Sequence, residues 1–302
     1  MAEQQLGPRI DGKVALVTGS SRGIGRCIAQ RLASAGARVV VTARSLDRPS
    51  AGQRAGGTRT IEGTLVETVA LIAAEGGVAL PLVADLEDPA DRDSLVARAA
   101  DLAGASIDIL INNAGFADYR RFDDLDLETF DRTIAHYFRA PFALCKQAVP
   151  AMRAKGAGWI VNIGSATALP PARPYTDTAR TTGELIYASC KAALHRFTQG
   201  LAAQMLESNI AVNAVGPSTA IRTPGASELI SASYETEDPA YLAETVLAMS
   251  HLPACERTGL VAFSMHFPHH HKLTVRTLDG KGVLPDLPPP AKARASISAS
   301  GE

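Results

Sequence analysis

Tyr187 and Lys191 are the residues whose types and spacing most clearly suggest acid–base chemistry. They stand four positions apart at the start of a long amphipathic stretch, so a helix would present both side chains on one face. A free tyrosine titrates near pH 10, but a cation about 4 Å away at an effective dielectric of ~20 contributes roughly 4 kcal/mol. That attraction would lower the pKa of the Tyr187 phenol by up to roughly three units, which predicts a proton donor or acceptor at neutral pH.

Ser165 is a second candidate catalytic residue because it follows the apolar run Trp159–Ile163. In an open parallel sheet, ligands bind at the carboxyl ends of strands, where a hydroxyl can hydrogen-bond a substrate oxygen. A serine at the end of a strand is also typical of an ordinary turn, so this position alone leaves both interpretations open.

A glycine-rich loop between the first apolar run, Val14–Val17, and the first helical pattern predicts a phosphate site. Glycines are needed where the backbone turns tightly and must approach a pyrophosphate without a Cβ atom in the way. The helix that begins near Ile24 points free N–H groups and the positive end of its dipole at the phosphates. The predicted cofactor contacts in this loop are Gly19, Ser21, Arg22, Gly23, Ile24 and Gly25.

The residues after the second apolar run, Val39–Val41, predict which nucleotide binds. A ribose 2′-hydroxyl usually has a carboxylate partner there, whereas a 2′-phosphate has cations. Arg44 follows this run with no acidic residue between them, and Arg22 lies in the glycine loop. Two guanidiniums on one phosphate make charge-assisted hydrogen bonds, so NADP(H) is favoured over NAD(H), although both arginines could also be solvated loop residues.

Asp85 and Leu86 end the third apolar run and are further candidates for cofactor binding. The Asp85 carboxylate is placed to accept a hydrogen bond from an adenine amino group. It could equally be the N-cap of the next helix.

The order of elements predicts an α/β fold with one doubly wound, Rossmann-like parallel sheet of about seven strands. Short β-branched runs alternate with longer amphipathic stretches, and strands that are apolar on both faces indicate a sheet covered on two sides. We expect a single nucleotide-binding and catalytic domain over residues 1–284. The stretch Ser45–Thr64 predicts a long loop, and the Pro-, Ala- and Ser-rich stretch Pro285–Glu302 predicts a disordered tail.

Composition points to a soluble, cytoplasmic protein. The 302 residues carry a net charge of −1 without a basic block, so we expect no nucleic-acid partner, and no apolar run is long enough for a membrane helix. The four cysteines lie far apart, which is typical of free thiols in a reducing compartment. Consecutive histidines at 269–271 do not converge as well-spaced ligands do, so no metal site is predicted.

Taken together, these residues resemble the short-chain dehydrogenase/reductase family, and most closely its subgroup with a lengthened loop after the second strand, which includes hydroxysteroid dehydrogenase-like proteins. The resemblance implies hydride transfer between a nicotinamide and a carbonyl or secondary alcohol. Tyr187 would be the general acid/base, Ser165 would orient the substrate oxygen, and Lys191 would also hold the nicotinamide ribose. The motifs that carry it are Thr18-Gly19-x-x-x-Gly23-x-Gly25, Asn112-Asn113-Ala114-Gly115, Ser165, Tyr187-x-x-x-Lys191 and Val212-Asn213-Ala214-Val215-Gly216-Pro217.

The resemblance also implies cofactor contacts outside the glycine loop. Asn113, Ala114 and Gly115 would line the adenosine side, and the loop from Pro217 to Thr223 would lie on the nicotinamide side, with Thr223 as the carboxamide contact. Because family members usually assemble, the resemblance further implies a homodimer or homotetramer and a small-molecule partner.

Three departures from the family pattern bear on function. Tyr137 aligns with an asparagine that normally holds a water for proton relay. The separation between Ser165 and Tyr187 is longer than usual, and the extra stretch Pro170–Leu185 is expected to loop over the active site. Ser218 takes the place of a glycine after Pro217.

The Tyr137 departure keeps a second hypothesis open, a nucleotide-binding protein with little turnover. A third is an epimerase or lyase that uses a tightly bound nucleotide on the same fold.

Overall fold

The computed structural model describes residues 7–54, 57–116, 118–227, 230–291 and 293–302. Seven parallel strands form one sheet, which confirms the predicted doubly wound, Rossmann-like fold. Numbered along the chain, and including the two strands that lie outside this sheet, the described strands are β1 (Val14–Thr18), β2 (Arg38–Ala43), β3 (Ser50–Arg54), β4 (Gly57–Ile61), β5 (Val78–Val83), β6 (Ile109–Asn112), β7 (Gly158–Ile163), β8 (Ile210–Gly216) and β9 (Val261–Phe263). The sheet order is β5-β2-β1-β6-β7-β8-β9, and β3 and β4 form a separate hairpin.

The strand order reverses between β1 and β6, and this reversal positions the site. From β1 the chain adds β2 and β5 on one side, then returns to add β6 and β7 on the other. In such sheets the crevice outside the carboxyl ends of the strands at the reversal is the usual ligand site. The strands at the reversal, β1 and β6, are buried throughout.

Helices cover both faces of the sheet, as strands without a polar face require. One face packs α1, α2 and α8 around side chains such as Ile28, Ile72 and Val246, and the other packs α3, α5 and α7 around Leu95 and Leu144. The helices are α1 (Gly23–Ser34), α2 (Leu65–Ala74), α3 (Pro89–Ala103), α4 (Leu127–Ile134), α5 (Ala140–Lys155), α6 (Asp177–Thr181), α7 (Leu185–Met205), α8 (Pro239–Ala248) and α9 (His266–His271).

The stretch predicted as a long loop, Ser45–Thr64, contains the antiparallel hairpin β3–β4. The prediction of a loop throughout this stretch was therefore wrong. Thr58, Thr60 and Ile61 are β-branched, which favours a strand, but the surrounding glycines obscure that signal. Thr64 then begins α2 with a capping box that pairs it with Glu67.

Residues 285–302, which the sequence predicts to be a disordered tail, contact the domain through several of their described residues. Ile297 is buried, and the Arg294 guanidinium donates a hydrogen bond of 2.8 Å to the Leu169 carbonyl. The Gly301 carbonyl accepts a hydrogen bond of 2.7 Å from the Val261 amide. A prediction from composition alone does not detect contacts made by single residues such as Ile297 and Arg294.

Among the helices that the structure describes, none is both long enough and apolar enough to cross a bilayer.

Candidate active site

The phosphate loop, residues 18–25, is shaped by close backbone approaches that only glycine permits. A Cβ atom on Gly25 would lie 2.3 Å from the Gly19 carbonyl oxygen and 2.4 Å from the Asn113 amide nitrogen. Gly19 has a φ of +66°, and a Cβ atom there would lie 2.7 Å from the Cα atom of Ala114. The loop therefore folds tightly against the end of β6.

Thr18 and Asn113 join the phosphate loop to β6. The Thr18 hydroxyl accepts hydrogen bonds of 3.0 Å from the Asn113 and Ala114 amides. The Asn113 side chain donates in return to the Thr18 carbonyl at 2.8 Å and to the Gly19 carbonyl at 3.1 Å. Asn113 thus braces the loop while it lines the adjoining cavity.

The loop and the helix that follows fit the pyrophosphate of a dinucleotide. Helix α1 begins at Gly23 and has no acidic residue in its first turn. In the described structure its N-cap residue, Arg22, makes no side-chain capping hydrogen bond. The N–H groups of a helix start need an acceptor, and a phosphate supplies one. Thr223 packs against this start, with its Cβ atom 3.2 Å from where a Cβ atom on Gly23 would be.

Arg22 and Arg44 both line the cavity beside the phosphate loop. Burial lowers the pKa of the Arg22 guanidinium, and the positive charges of Arg44 and Arg26 lower it further. Arg22 also donates a hydrogen bond of 2.6 Å to the Ile61 carbonyl of the β3–β4 hairpin. Two neighbouring cations beside the phosphate loop fit a dianion such as a 2′-phosphate.

Asp85 lines the same cavity and does not cap a helix. The N-cap of α3 is Asp88, whose carboxylate accepts from the Ala90 and Asp91 amides, so the capping alternative for Asp85 was wrong. The Asp85 carboxylate instead accepts a hydrogen bond of 3.0 Å from the Glu87 amide, a local turn that holds it at the end of β5.

The structure brings together every cofactor residue predicted from the sequence. The cavity is lined by Gly19, Ser21, Arg22, Gly23, Ile24, Gly25, Arg44, Asp85, Leu86, Asn113, Ala114, Gly115, Tyr187, Lys191, Pro217 and Thr223. It also has lining residues that sequence reasoning did not assign to the cofactor, namely Ile61, Glu87, Phe116, Tyr119, Arg132, His136 and Tyr137. Several of these come from the segments on either side of α4, where the sequence singled out only Tyr137, as a departure from the family pattern.

Tyr187 and Lys191 lie on the first turns of α7 and face the cavity from the same side. The Lys191 side chain is buried rather than turned to solvent, and its ammonium donates a hydrogen bond of 2.5 Å to the Ile163 carbonyl at the end of β7. The ammonium nitrogen lies 5.7 Å from the centre of the Tyr187 ring. The predicted helix-face pairing is therefore present.

The electrostatics of this pair differ from the prediction. Burial raises the pKa of the Tyr187 phenol, and hydrogen bonds with Ser165 and Tyr119 oppose that rise. Burial also lowers the pKa of Lys191 to about 7, so the lysine is a weaker cation than the sequence argument assumed. The pKa of the phenol in the protein alone is therefore raised, not lowered as predicted, because desolvation outweighs the effects of Ser165 and Tyr119 that lower it.

Ser165 follows β7 as predicted. The described cavity lining does not include it. Its hydroxyl is 2.9 Å from the Thr167 hydroxyl, and it lowers the pKa of the Tyr187 phenol. The Ser165 amide donates to His195 Nε2 at 3.4 Å. His195 is buried and supports the backbone of Ser165.

Tyr137 lies in a π-helical turn, Ala135–Arg139, between α4 and α5. Its hydroxyl accepts a hydrogen bond of 2.8 Å from the Phe116 amide and donates to the Phe116 carbonyl. Its ring lies edge-on to Tyr187, 5.1 Å between centroids, and 4.6 Å from the Lys191 ammonium. Tyr137 therefore fills the place next to the Tyr–Lys pair with an aromatic ring, and burial raises its pKa well above the usual value.

Ser218, the departure from the usual glycine, belongs to a buried polar network under the cofactor-side loop. Its hydroxyl is 2.9 Å from His266 Nδ1, and its amide donates to the Ser264 hydroxyl at 2.8 Å. Ser264 in turn donates to the Glu237 carboxyl at 2.5 Å, and Thr219 donates its amide to the same carboxyl. Burial raises the pKa of Glu237 to about 7.

The extra stretch before Tyr187 packs beside the 116–121 segment. Gly183 has a φ of +67°, and a Cβ atom there would lie 2.7 Å from the Arg120 carbonyl carbon. Among the described residues, the cavity lining contains none from 166–185, so the expectation that this stretch covers the active site is not supported. The described part of the chain also contains no group of three or more His, Cys, Asp or Glu residues arranged for a metal ion.

Comparisons with known proteins agree with this architecture. The chain is 34% identical over 212 residues to 7alpha-hydroxysteroid dehydrogenase of Clostridium sardiniense, which covers 69% of this chain and 71% of that protein. It is 33% identical over 208 residues to an uncharacterized oxidoreductase of Thermotoga maritima, covering 69% and 72%. A crystal structure of 3-oxoacyl (acyl-carrier-protein) reductase from Agrobacterium tumefaciens with NADP bound superposes with a TM-score of 0.69 and 27% identity, covering 87% of this chain and 96% of that one.

The sequence model described as short chain dehydrogenase matches residues 13–232, which include the phosphate loop, Ser165, Tyr187 and Lys191. The relatives and the solved structure share this fold over most of their own length. The chain therefore belongs to the short-chain dehydrogenase/reductase family of oxidoreductases.

Proposed function

We propose that the protein is an NADP(H)-dependent oxidoreductase that interconverts a carbonyl and a secondary alcohol, with Tyr187 as general acid/base. The observation that carries this proposal is one cavity lined both by the phosphate loop and by the Tyr187–Lys191 pair. A dinucleotide held by the loop and extended along the cavity would bring its nicotinamide end toward Tyr187. Hydride and proton could then reach the same substrate carbonyl.

The preference for NADP(H) is supported by Arg22 and Arg44. Both line the cavity next to Ile24, and the end of β2 carries no acidic residue for a 2′-hydroxyl. Guanidinium pairs bind phosphate with charge-assisted, directional hydrogen bonds. The Agrobacterium tumefaciens reductase to which this fold is similar has NADP bound.

NADPH, when bound, supplies the hydride for carbonyl reduction. The Tyr187 phenol donates its proton to the carbonyl oxygen as negative charge develops there. Ser165, at the end of β7, stabilises the same oxygen. Lys191, fixed by the Ile163 carbonyl, holds the nicotinamide ribose and adds positive charge near the phenol whenever it is protonated.

The test is NADPH oxidation by the purified protein with a panel of carbonyl compounds that includes a steroid ketone and the β-keto ester ethyl acetoacetate. Tyr187→Phe should lower kcat roughly 10²–10⁴-fold on any ketone that the protein reduces, because it removes only the exchangeable proton. The NADPH dissociation constant should stay within about twofold, since the ring remains. Tyr175→Phe, an exposed tyrosine outside the cavity lining, is the matched control.

Normal NADPH binding without turnover of any compound would favour the second candidate, a nucleotide-binding protein with little activity. That candidate draws on Tyr137, whose ring stands beside Lys191 where relatives are expected to hold a water. Nucleotide that stays bound through purification and does not exchange would instead favour an epimerase or lyase.

We also propose a homodimer or homotetramer. Support comes from a cluster of aromatic side chains on neighbouring helices, Phe138, Phe142 and Phe197, of which Phe142 is 46% exposed. Light scattering during gel filtration would measure the assembly, and a monomer at micromolar concentration would contradict it.

A further inference from the structure

A second phenol, Tyr119, stands against Tyr187 in the cavity. The two ring centroids are 5.3 Å apart, the rings are tilted by 59°, and both side chains line the cavity wall. The Tyr119 hydroxyl also lowers the pKa of the Tyr187 phenol, against the rise that burial causes. The proposed catalytic oxygen therefore has two hydroxyl neighbours, Ser165 and Tyr119, rather than one.

The backbone on both sides of Tyr119 is held in place. On one side, the Tyr137 hydroxyl accepts a hydrogen bond from the Phe116 amide and donates one to the Phe116 carbonyl. On the other, Arg120 pairs with the buried Asp118 carboxylate at 3.2 Å and with Asp126 at 2.8 Å. These contacts hold the described backbone on both sides of Tyr119.

The side of Tyr187 that faces Lys191 is filled by an ammonium and an aromatic ring. There the Lys191 ammonium donates to the Ile163 carbonyl and faces the Tyr137 ring at 4.6 Å. The Tyr137 hydroxyl is occupied at Phe116, and burial keeps its pKa high, so it stays protonated. Tyr119 contacts Tyr187 and is partly exposed to solvent, so its hydroxyl offers a path to water for a proton leaving or reaching Tyr187.

We propose that Tyr119 is a further catalytic residue, whose hydroxyl returns a proton to Tyr187 after each carbonyl reduction. This inference rests on the proposed function. When NADPH delivers its hydride to the carbonyl carbon, the Tyr187 O–H bond breaks and its proton forms the alcohol O–H. The Tyr119 proton then moves to the Tyr187 phenolate, and the resulting Tyr119 phenolate takes a proton from water or buffer, so each oxygen regains its starting state.

The experiment compares the wild-type protein with Tyr119→Phe, which keeps the ring and removes only the hydroxyl. Tyrosinate absorbance is titrated in the NADP⁺ complex, and the Tyr187 contribution is obtained by subtracting the same titration of Tyr187→Phe in each background. Loss of the Tyr119 hydrogen bond should raise the pKa of Tyr187 by about one unit. With a ketone from the panel, kcat should fall at least about tenfold and its pH profile should move to higher pH, while KM stays within about twofold.

The controls separate this inference from the proposed function. Tyr175→Phe makes the same chemical change at an exposed site and should alter neither measurement. An unchanged Tyr187 titration in Tyr119→Phe, or a change in KM alone, would overturn the relay and leave Tyr119 as a substrate contact. If the wild-type protein reduces no ketone, the proposed function itself fails, and the relay fails with it. Equal NADP⁺ affinity and melting temperature would exclude misfolding as the cause of any loss.

Discussion

The phosphate loop and the catalytic wall, formed by Tyr119, Tyr137, Tyr187 and Lys191, are built in different ways. The loop depends on the absence of side chains, since a Cβ atom on Gly25 would clash with the Gly19 carbonyl. The wall depends on side chains packed against one another, with rings and an ammonium within about 6 Å of each other. One region is shaped by backbone geometry and the other by buried ionisable groups.

This difference teaches where each region is sensitive. The glycine backbone has no group that titrates near neutral pH, so the shape of the phosphate loop should not depend on pH. Phosphate binding there should weaken only when that shape changes. The wall and the neighbouring Glu237 network contain groups whose pKa values burial has shifted, including Lys191 at about 7 and Glu237 at about 7. The catalytic half should therefore respond to pH near neutrality while nucleotide binding stays comparatively constant.

The largest effect is expected from Gly25→Ala. The added Cβ atom would lie 2.3 Å from a backbone oxygen that cannot rotate away, so NADPH binding should weaken roughly a hundredfold or more. Isothermal titration calorimetry measures the affinity. Gly200→Ala on α7 is the matched control, because its Cβ atom would meet only the flexible Arg196 side chain. Near-normal binding by Gly25→Ala would show that backbone shape does not control this region.

Glu237→Gln should change how stability depends on pH. Because the pKa of Glu237 in the folded protein is raised from 4.5 to about 7, its contribution is fully present below pH 4.5 and is lost as pH rises toward 7. The loss is on the order of 3 kcal/mol across that window, and the neutral glutamine should remove it. Urea unfolding at several pH values measures this. The exposed Glu207→Gln should keep the wild-type slope, and identical slopes in all three proteins would refute the assignment.

Arg44→Ala should weaken NADPH binding about 10–100-fold and leave NADH binding nearly unchanged, because only the 2′-phosphate loses a charge-assisted partner. Binding of both nucleotides is measured by fluorescence titration. Arg48→Ala removes an equal charge from the same loop at an exposed position outside the cavity lining. If Arg44→Ala weakens the affinity for NADPH and NADH equally, Arg44 does not bind the 2′-phosphate.

Tyr137→Phe should have the smallest effect, lowering the free energy of unfolding by about 1–2 kcal/mol. The variant keeps the ring against Tyr187 and Lys191 but leaves the Phe116 amide and carbonyl without their hydroxyl partner. Chemical unfolding measures the change, and NADPH affinity should remain within about twofold. A stability equal to wild type would indicate that the Phe116 backbone finds water instead.

The sequence predicted what is local and left out what is assembled from distant segments. Glycine spacing and the Tyr187–Lys191 interval are read within one loop or one helix, and both features lie where expected. The contact between Tyr119 and Tyr187, and the support that His195 gives Ser165, join separate elements whose approach no spacing encodes. The direction of the Tyr187 pKa shift also needed the burial of the whole cavity wall.

Strand β9 forms one border of the sheet, and the hydrogen bond from the Val261 amide to the Gly301 carbonyl covers part of it. Uncovered borders of this kind offer unpaired amides and carbonyls to neighbouring molecules and promote aggregation. Shortening the chain before Pro285 would remove Ile297 and Gly301 together and leave β9 bare. Residues 285–302 can therefore protect this edge of the sheet from pairing with another molecule.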